Sequence, residues 1–272
     1  MNKGISWFNI CMLLFGFVFL YAPIVILIIF SFNSGKLVSV WSGFSTHWYG
    51  ALFHNEQILE AAWISLKIGA INATIATILG TLVAFALNRF GRFRGRTLFT
   101  GMATAPLVMP DVITGLATLL LFVGIGMARG MATITIAHIT FSLAFVAVIV
   151  RARISALDMS LEEAAMDLGA RPVKTFILIV VPLLAPALVS GWLLAFTLSL
   201  DDLVIASFVA GPGATTLPMV VFSKVRLGVS PEINALGTII VLLVTFCIVI
   251  ATLIFQRQER QKILDDQMAR RG

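Results

Sequence analysis

The stretch Ser160–Pro182, SLEEAAMDLGARPVKTFILIVVP, interrupts a chain that is otherwise overwhelmingly apolar. Its grammar is helical. Ser160 and Glu163 have the three-residue spacing of a capping box, in which each side chain satisfies a backbone N–H that a helix start leaves open. That spacing predicts a short helix from Ser160, with Leu161, Ala164, Ala165 and Leu168 on one face. Gly169 suits the left-handed cap that ends such a helix, and Pro172 suits the first turn of a second one. Pro182 reads as the break before the apolar run that follows. The segment is therefore expected to be a helix-turn-helix lying along a surface.

That surface is a membrane. The 272 residues are 59% hydrophobic and 12% charged, with a mean hydropathy of +1.02, which soluble domains of this length do not show. A helix needs about 20 apolar residues to cross hydrocarbon. Windows of that kind predict six spans, at 11–32, 62–87, 100–124, 131–150, 183–200 and 235–255, in one transmembrane domain covering residues 1–272. The first is longer than a typical signal-peptide core and no small-x-small site follows it, so it reads as retained.

Lys and Arg set the orientation, because cytoplasmic flanks keep them during insertion. With the N-terminus inside, 14 of the 19 fall on inner segments, and only Lys36, Lys67, Arg129, Lys224 and Arg226 fall outside. Both termini are then cytoplasmic and residues 151–182 form an inner loop. The net charge of +6 reports this asymmetry and contact with anionic lipid rather than nucleic acid. GRFRGR, Gly91–Arg96, reads as the inner anchor of the second span. Cys11 and Cys247 read as small apolar residues, and His47, His54 and His138 lack metal-ligand spacing. Neither a Ser-His-Asp nor a Cys-His arrangement is readable.

Charges inside spans mark function, since one costs about 2.5–3.5 kcal/mol on insertion scales. Asp111 lies in APLVMPDVITG, where Pro106 and Pro110 break the helix, as happens where backbone lines a cavity; it reads otherwise as a cap on the helix that restarts there. Asp201 and Asp202 end the fifth span. Either they form a solvated outer turn or, because Leu203–Val209 resumes an apolar run, they face a protein interior. Carboxylates with few basic neighbours suit a cationic solute, and Trp192, Phe196 and Phe208 offer faces for cation–π contacts. Lys224, Arg226 and Glu232 read as a solvated outer face or as a contact for a solute-binding protein.

The polar segment resembles the EAA motif of bacterial ABC importer permeases, Glu-Ala-Ala-x3-Gly-x9-Ile-x-Leu-Pro. Glu163, Ala164, Ala165, Gly169, Ile179 and Pro182 match it, and Val181 stands where Leu is usual. The whole chain is similar to the polyamine subset of that family, for putrescine first and spermidine second. The carrying segments are FGRFRG, APLVMPDVITG, EEAAMDLGA, SGWLLAFTLSLDDLVIASFV, GPGATTLPM and GVSPEINAL.

The resemblance implies an all-α, six-helix type I importer permease that forms half of a pore. Its implied partners are a second, homologous permease chain, a pair of ATPase subunits and a periplasmic binding protein in the inner membrane system of a bacterium. Glu163, Ala164, Ala165, Asp167, Gly169 and Arg171 would couple to the ATPase, which would bind the ATP and Mg. The chain itself would hold no cofactor. Consistently, its only Gly-Lys, Gly35-Lys36, lacks the spacing of a phosphate-binding loop. Two alternatives remain open: an ABC permease for another small cationic solute, and a transporter driven by an ion gradient.

Overall fold

The computed structural model describes residues 7–37, 40–228, 230–246 and 249. Its helices are α1 (Trp7–Phe30), α2 (His47–Phe53), α3 (Glu56–Arg89), α4 (Arg96–Thr104), α5 (Asp111–Gly124), α6 (Met131–Ser155), α7 (Ser160–Asp167), α8 (Pro172–Thr175), α9 (Val181–Asp201), α10 (Val204–Val209) and α11 (Leu217–Leu227). A further apolar helix, α12, covers Pro231–Phe246. Among the described residues, four helices are long and apolar enough to cross a membrane: α1, α3, α6 and the continuous Pro172–Asp201. The expected third span is instead a bent pair, Arg96–Leu107 and Asp111–Gly124, meeting at 116° where Pro106 and Pro110 deny the helix its backbone donors. The expected sixth span, 235–255, extends beyond the described residues, as do the basic residues of the C-terminus.

The chain divides into two compact units. The first comprises residues 1–56 and 223–272. Its α1 is apolar along nearly its whole length and has no buried residue, the signature of a helix that needs an apolar medium around it. Beyond α1, buried Asn33 ties the chain into a knot. Its Oδ1 accepts from Ser42 N–H at 2.8 Å, its Nδ2 donates to the carbonyls of Val40 (2.7 Å) and Leu37 (3.1 Å), and its own carbonyl accepts from Trp48 Nε1 at 2.8 Å.

The second unit, residues 57–222, is built on α3. Gly69, Ala73, Ala76, Gly80 and Ala84 recur every three or four residues and are all buried. Such a stripe lets helices pack closely without a hydrophobic driving force between them. Val146, Val150 and Ile154 of α6, with Leu184 and Ala195 of α9, close over it. Gly80 sits so near α6 that an added Cβ would meet the Leu143 carbonyl oxygen at 2.9 Å and Val146 Cβ at 2.8 Å. Fully buried Asn72 pins the three helices together by donating to Ala195 O at 2.8 Å and Ser142 Oγ at 3.2 Å. A second apolar cluster joins Ile64 and Ile68 of α3 to Phe122, Ile134 and the buried face of α10.

Pro182 does not break the helix. Phe176–Val180 forms a π turn between α8 and α9, so helix runs unbroken from Pro172 to Asp201. A π turn shifts the hydrogen-bond register by one residue just ahead of the proline, which lacks the N–H the regular register would require. α6 likewise continues through Arg151 and Arg153 to Ser155, leaving only residues 156–171 between the long helices.

Candidate functional site

Two places in the second unit gather the residues singled out by the sequence. One is α7 and its flanking turns. A helix does start at Ser160, but no capping box forms: the open N–H of Ser160 is met by Asp158 Oδ1 at 3.0 Å. Asp158 lies two residues back, where an aspartate readily closes such a turn. That hydrogen bond holds the Asp158 carboxyl below its ordinary range. The other end follows expectation. Gly169 has φ +88°, its N–H donates to Met166 O, and the Ala170 N–H donates to Ala165 O, which is the Schellman arrangement. Pro172 then opens α8.

The α7 surface is bare. None of its residues is buried, Leu161 is 50% exposed and Leu168, just past its end, is 91% exposed. Glu163, Ala164, Asp167, Gly169 and Arg171 are exposed, and Ala165 is half-buried. The sequence missed the residue that faces inward. Glu162 pairs with Arg89, the last residue of α3, whose Nη2 and Nε donate to Glu162 Oε1 at 2.6 and 3.1 Å. Arg96 was read only as an anchor; it also donates to the carbonyls of Leu87 and Gly91, satisfying the end of α3.

The other place is a recess of about 240 Å³ lined by Asp111, Asp201, Asp202, Phe141, Leu198, Leu203 and Val204. The structure thus brings together three aspartates that lie up to 91 positions apart in sequence (202 minus 111). They are not equivalent. Asp202 caps α10: its two carboxylate oxygens accept from Ile205 N–H at 3.2 Å and Ala206 N–H at 2.7 Å. Buried His138 also reaches Asp202 Oδ2 through Nε2 at 3.1 Å, while its Nδ1 meets Ser199 Oγ at 2.7 Å. Asp202 is therefore bound into the fold, with α10 burying Ile205, Ala206 and Val209 behind it.

Asp111 and Asp201 are exposed and take part in no ion pair among the described residues. Asp111 is the first residue of α5, where the helix dipole favours a carboxylate. Asp201 is the last residue of α9, where it does not.

Trp192, Phe196 and Phe208 do not line this recess; its aromatic wall is Phe141. Trp192 and Phe196 stack on each other at 5.2 Å, with Trp192 Nε1 donating to Thr74 Oγ1 and Phe196 covering Gly69. Phe208 packs over Gly115. In the first unit, Lys224 pairs with Glu232 at 3.1 Å, and Asn55 donates to the same carboxylate oxygen at 3.1 Å. His138 and Ser199 do form a Ser-His-Asp chain with Asp202. Both are buried and the carboxylate is already engaged by backbone donors, so the chain organises a turn rather than exposing a nucleophile.

Long apolar helices, a bare polar helix between two of them and a charged recess define a membrane transport subunit. Residues 76–263 match the family described as binding-protein-dependent transport system inner membrane component, and the chain belongs to that family. It is the membrane subunit of an importer of the ABC class.

Across 98% of its length it is 59% identical to the putrescine transport system permease protein PotI of Escherichia coli (strain K12), covering 97% of that protein. It is 43% identical to the spermidine/putrescine transport system permease protein PotC of the same strain, over 88% of this chain and 90% of that one. Among solved structures, a chain of a bacterial ABC transporter involved in the import of the acidic polysaccharide alginate superposes with a TM-score of 0.69. The match covers 91% of this chain and 94% of that one at 18% identity, so it speaks to the fold alone.

Proposed function

We propose that this chain forms half the pore of an ATP-driven polyamine importer, with putrescine as the first solute and spermidine as the second. The observation that carries the solute class is the pair Asp111 and Asp201, two carboxylates on one recess in no ion pair among the described residues. Carboxylates gathered without counterions are costly, and a bound cation removes that cost. A diamine brings two ammonium groups to such a site. The kinship with permeases named for putrescine and spermidine points the same way. Trp192, Phe196 and Phe208 enter this reading as pore-facing groups met elsewhere along the path.

The partners are a second, homologous permease, a pair of ATPase subunits holding ATP and Mg, and a periplasmic binding protein. Glu163, Ala164, Ala165, Asp167, Gly169 and Arg171 form the surface that meets the ATPase. Its exposed leucines and small alanines favour that role, because an unpartnered apolar surface ringed by charge suits an interface. Both termini lie on the cytoplasmic side, as the distribution of Lys and Arg favours. ATP draws the ATPase pair together, α7 moves with it, and the pore opens outward to accept solute from the binding protein. The chain itself catalyses no reaction.

Uptake of labelled putrescine by cells deleted for this chain tests the assignment. Wild type should restore uptake, and unlabelled putrescine should compete better than an amino acid or a thiamine-like cation. Restoration of uptake of another cation, with no response to putrescine, would reassign the solute.

A further inference from the structure

We propose that the Arg89–Glu162 ion pair is the positioning contact that fixes the ATPase-facing helix to the body of the permease, so that α7 and α3 move as one piece. The proposal rests on α7 meeting the ATPase, as proposed above.

Packing against α8 and the π turn holds α7 only in part. It is two turns long and fully buries no side chain; Leu161 is 50% exposed and Leu168, just past its end, is 91% exposed. Its C-terminal end is organised locally by the Gly169 turn, which shapes the segment without attaching it to another helix. The side chain that reaches across is Glu162. It lies 73 positions from Arg89, and the two retain only 13% and 11% side-chain exposure. Arg89 engages Oε1 through two of its nitrogens. A shielded, doubly donated contact of this kind is stiffer than a solvated surface pair.

The helix that receives it is suited to carry motion. α3 has 34 residues and spans about 50 Å, more than the hydrocarbon core. Near Arg89 its end is closed by Arg96, which keeps the last turn from fraying. In mid-course its small-residue stripe and Asn72 grip α6 and α9. Towards its start, Ser65 Oγ accepts from Leu217 N–H at 2.8 Å, and Ile64 and Ile68 pack with Ile205, Ala206 and Val209 behind Asp202. One rigid element therefore joins the proposed ATPase surface to the wall of the acidic recess.

The test uses the assembled transporter in proteoliposomes, with putrescine uptake and ATP hydrolysis measured on the same preparation and subunit assembly checked by size exclusion. Arg89→Gln and Glu162→Gln should each lower solute moved per ATP at least tenfold, or weaken retention of the ATPase. The double reversal Arg89→Glu/Glu162→Arg should raise the affected quantity at least threefold above either single reversal. Single variants that keep the wild-type ratio and assembly, or a double reversal no better than its singles, would overturn the proposal. Wild type without ATP-driven uptake would instead refute the functional reading on which it rests.

Discussion

At the scale of single residues, the three aspartates of the recess divide by what already holds them. Asp202 is spent on α10 and His138, so its removal should be felt first as lost stability. We expect Asp202→Ala to cost about 0.5–2 kcal/mol, the range for a lost helix cap, read as a lower melting temperature in detergent. Asp201 and Asp111 carry no such duty. Asp201→Asn and Asp111→Asn should leave melting nearly unchanged while cutting putrescine uptake about tenfold or more, since a charged hydrogen bond is worth about 1.5–3 kcal/mol. Uptake at matched expression checks this, and wild-type uptake in both variants would reduce the pair to structural residues.

The aspartates were legible in the sequence because charges are conspicuous in apolar runs. His138 was not, because its partners Ser199 and Asp202 lie 61 and 64 positions away and only the crossing of α6 with the end of α9 brings them together. Arg89 was hidden for another reason: a basic residue at an inner helix end already has an explanation in topology.

At the scale of elements, close helix contact rests on glycine and alanine. Gly80→Val would drive its added carbons into the Leu143 carbonyl and Val146, and should destabilise the second unit by about 1–3 kcal/mol, the usual penalty of overpacking. A thermal melt of the purified variant reads that loss. Gly169→Ala acts differently, since nothing lies near the added methyl but φ is +88°. The strain of about 1–2 kcal/mol falls on the turn alone. Hydrogen exchange at the Gly169 and Ala170 amides should therefore quicken about tenfold while α3 stays protected.

Helix existence was readable here from apolar runs and turn residues, but the ends were not. A proline in sequence looks like a stop, yet a π turn ahead of Pro182 lets the helix pass through it. The Ser160–Glu163 spacing fits a capping box, yet Asp158 is nearer to the open N–H and serves it instead. Both outcomes depend on local register, which residue types alone do not fix.

At the scale of the molecule, the class of protein was written in composition, since 59% hydrophobic residues in long uncharged runs admit little besides a bundle of membrane helices. The division into two units was not, because it depends on which helices touch. α1 buries none of its residues within this chain, which fits a subunit completed by lipid and a second permease. The account turns on this being one half of an ATP-driven pore for a polyamine. The most direct test is uptake of labelled putrescine into proteoliposomes holding the full transporter and its binding protein, with every ion gradient set to zero. Accumulation that requires internal ATP and stops without it is the predicted result. Uptake that ignores ATP and appears only when a proton or sodium gradient is restored would contradict it.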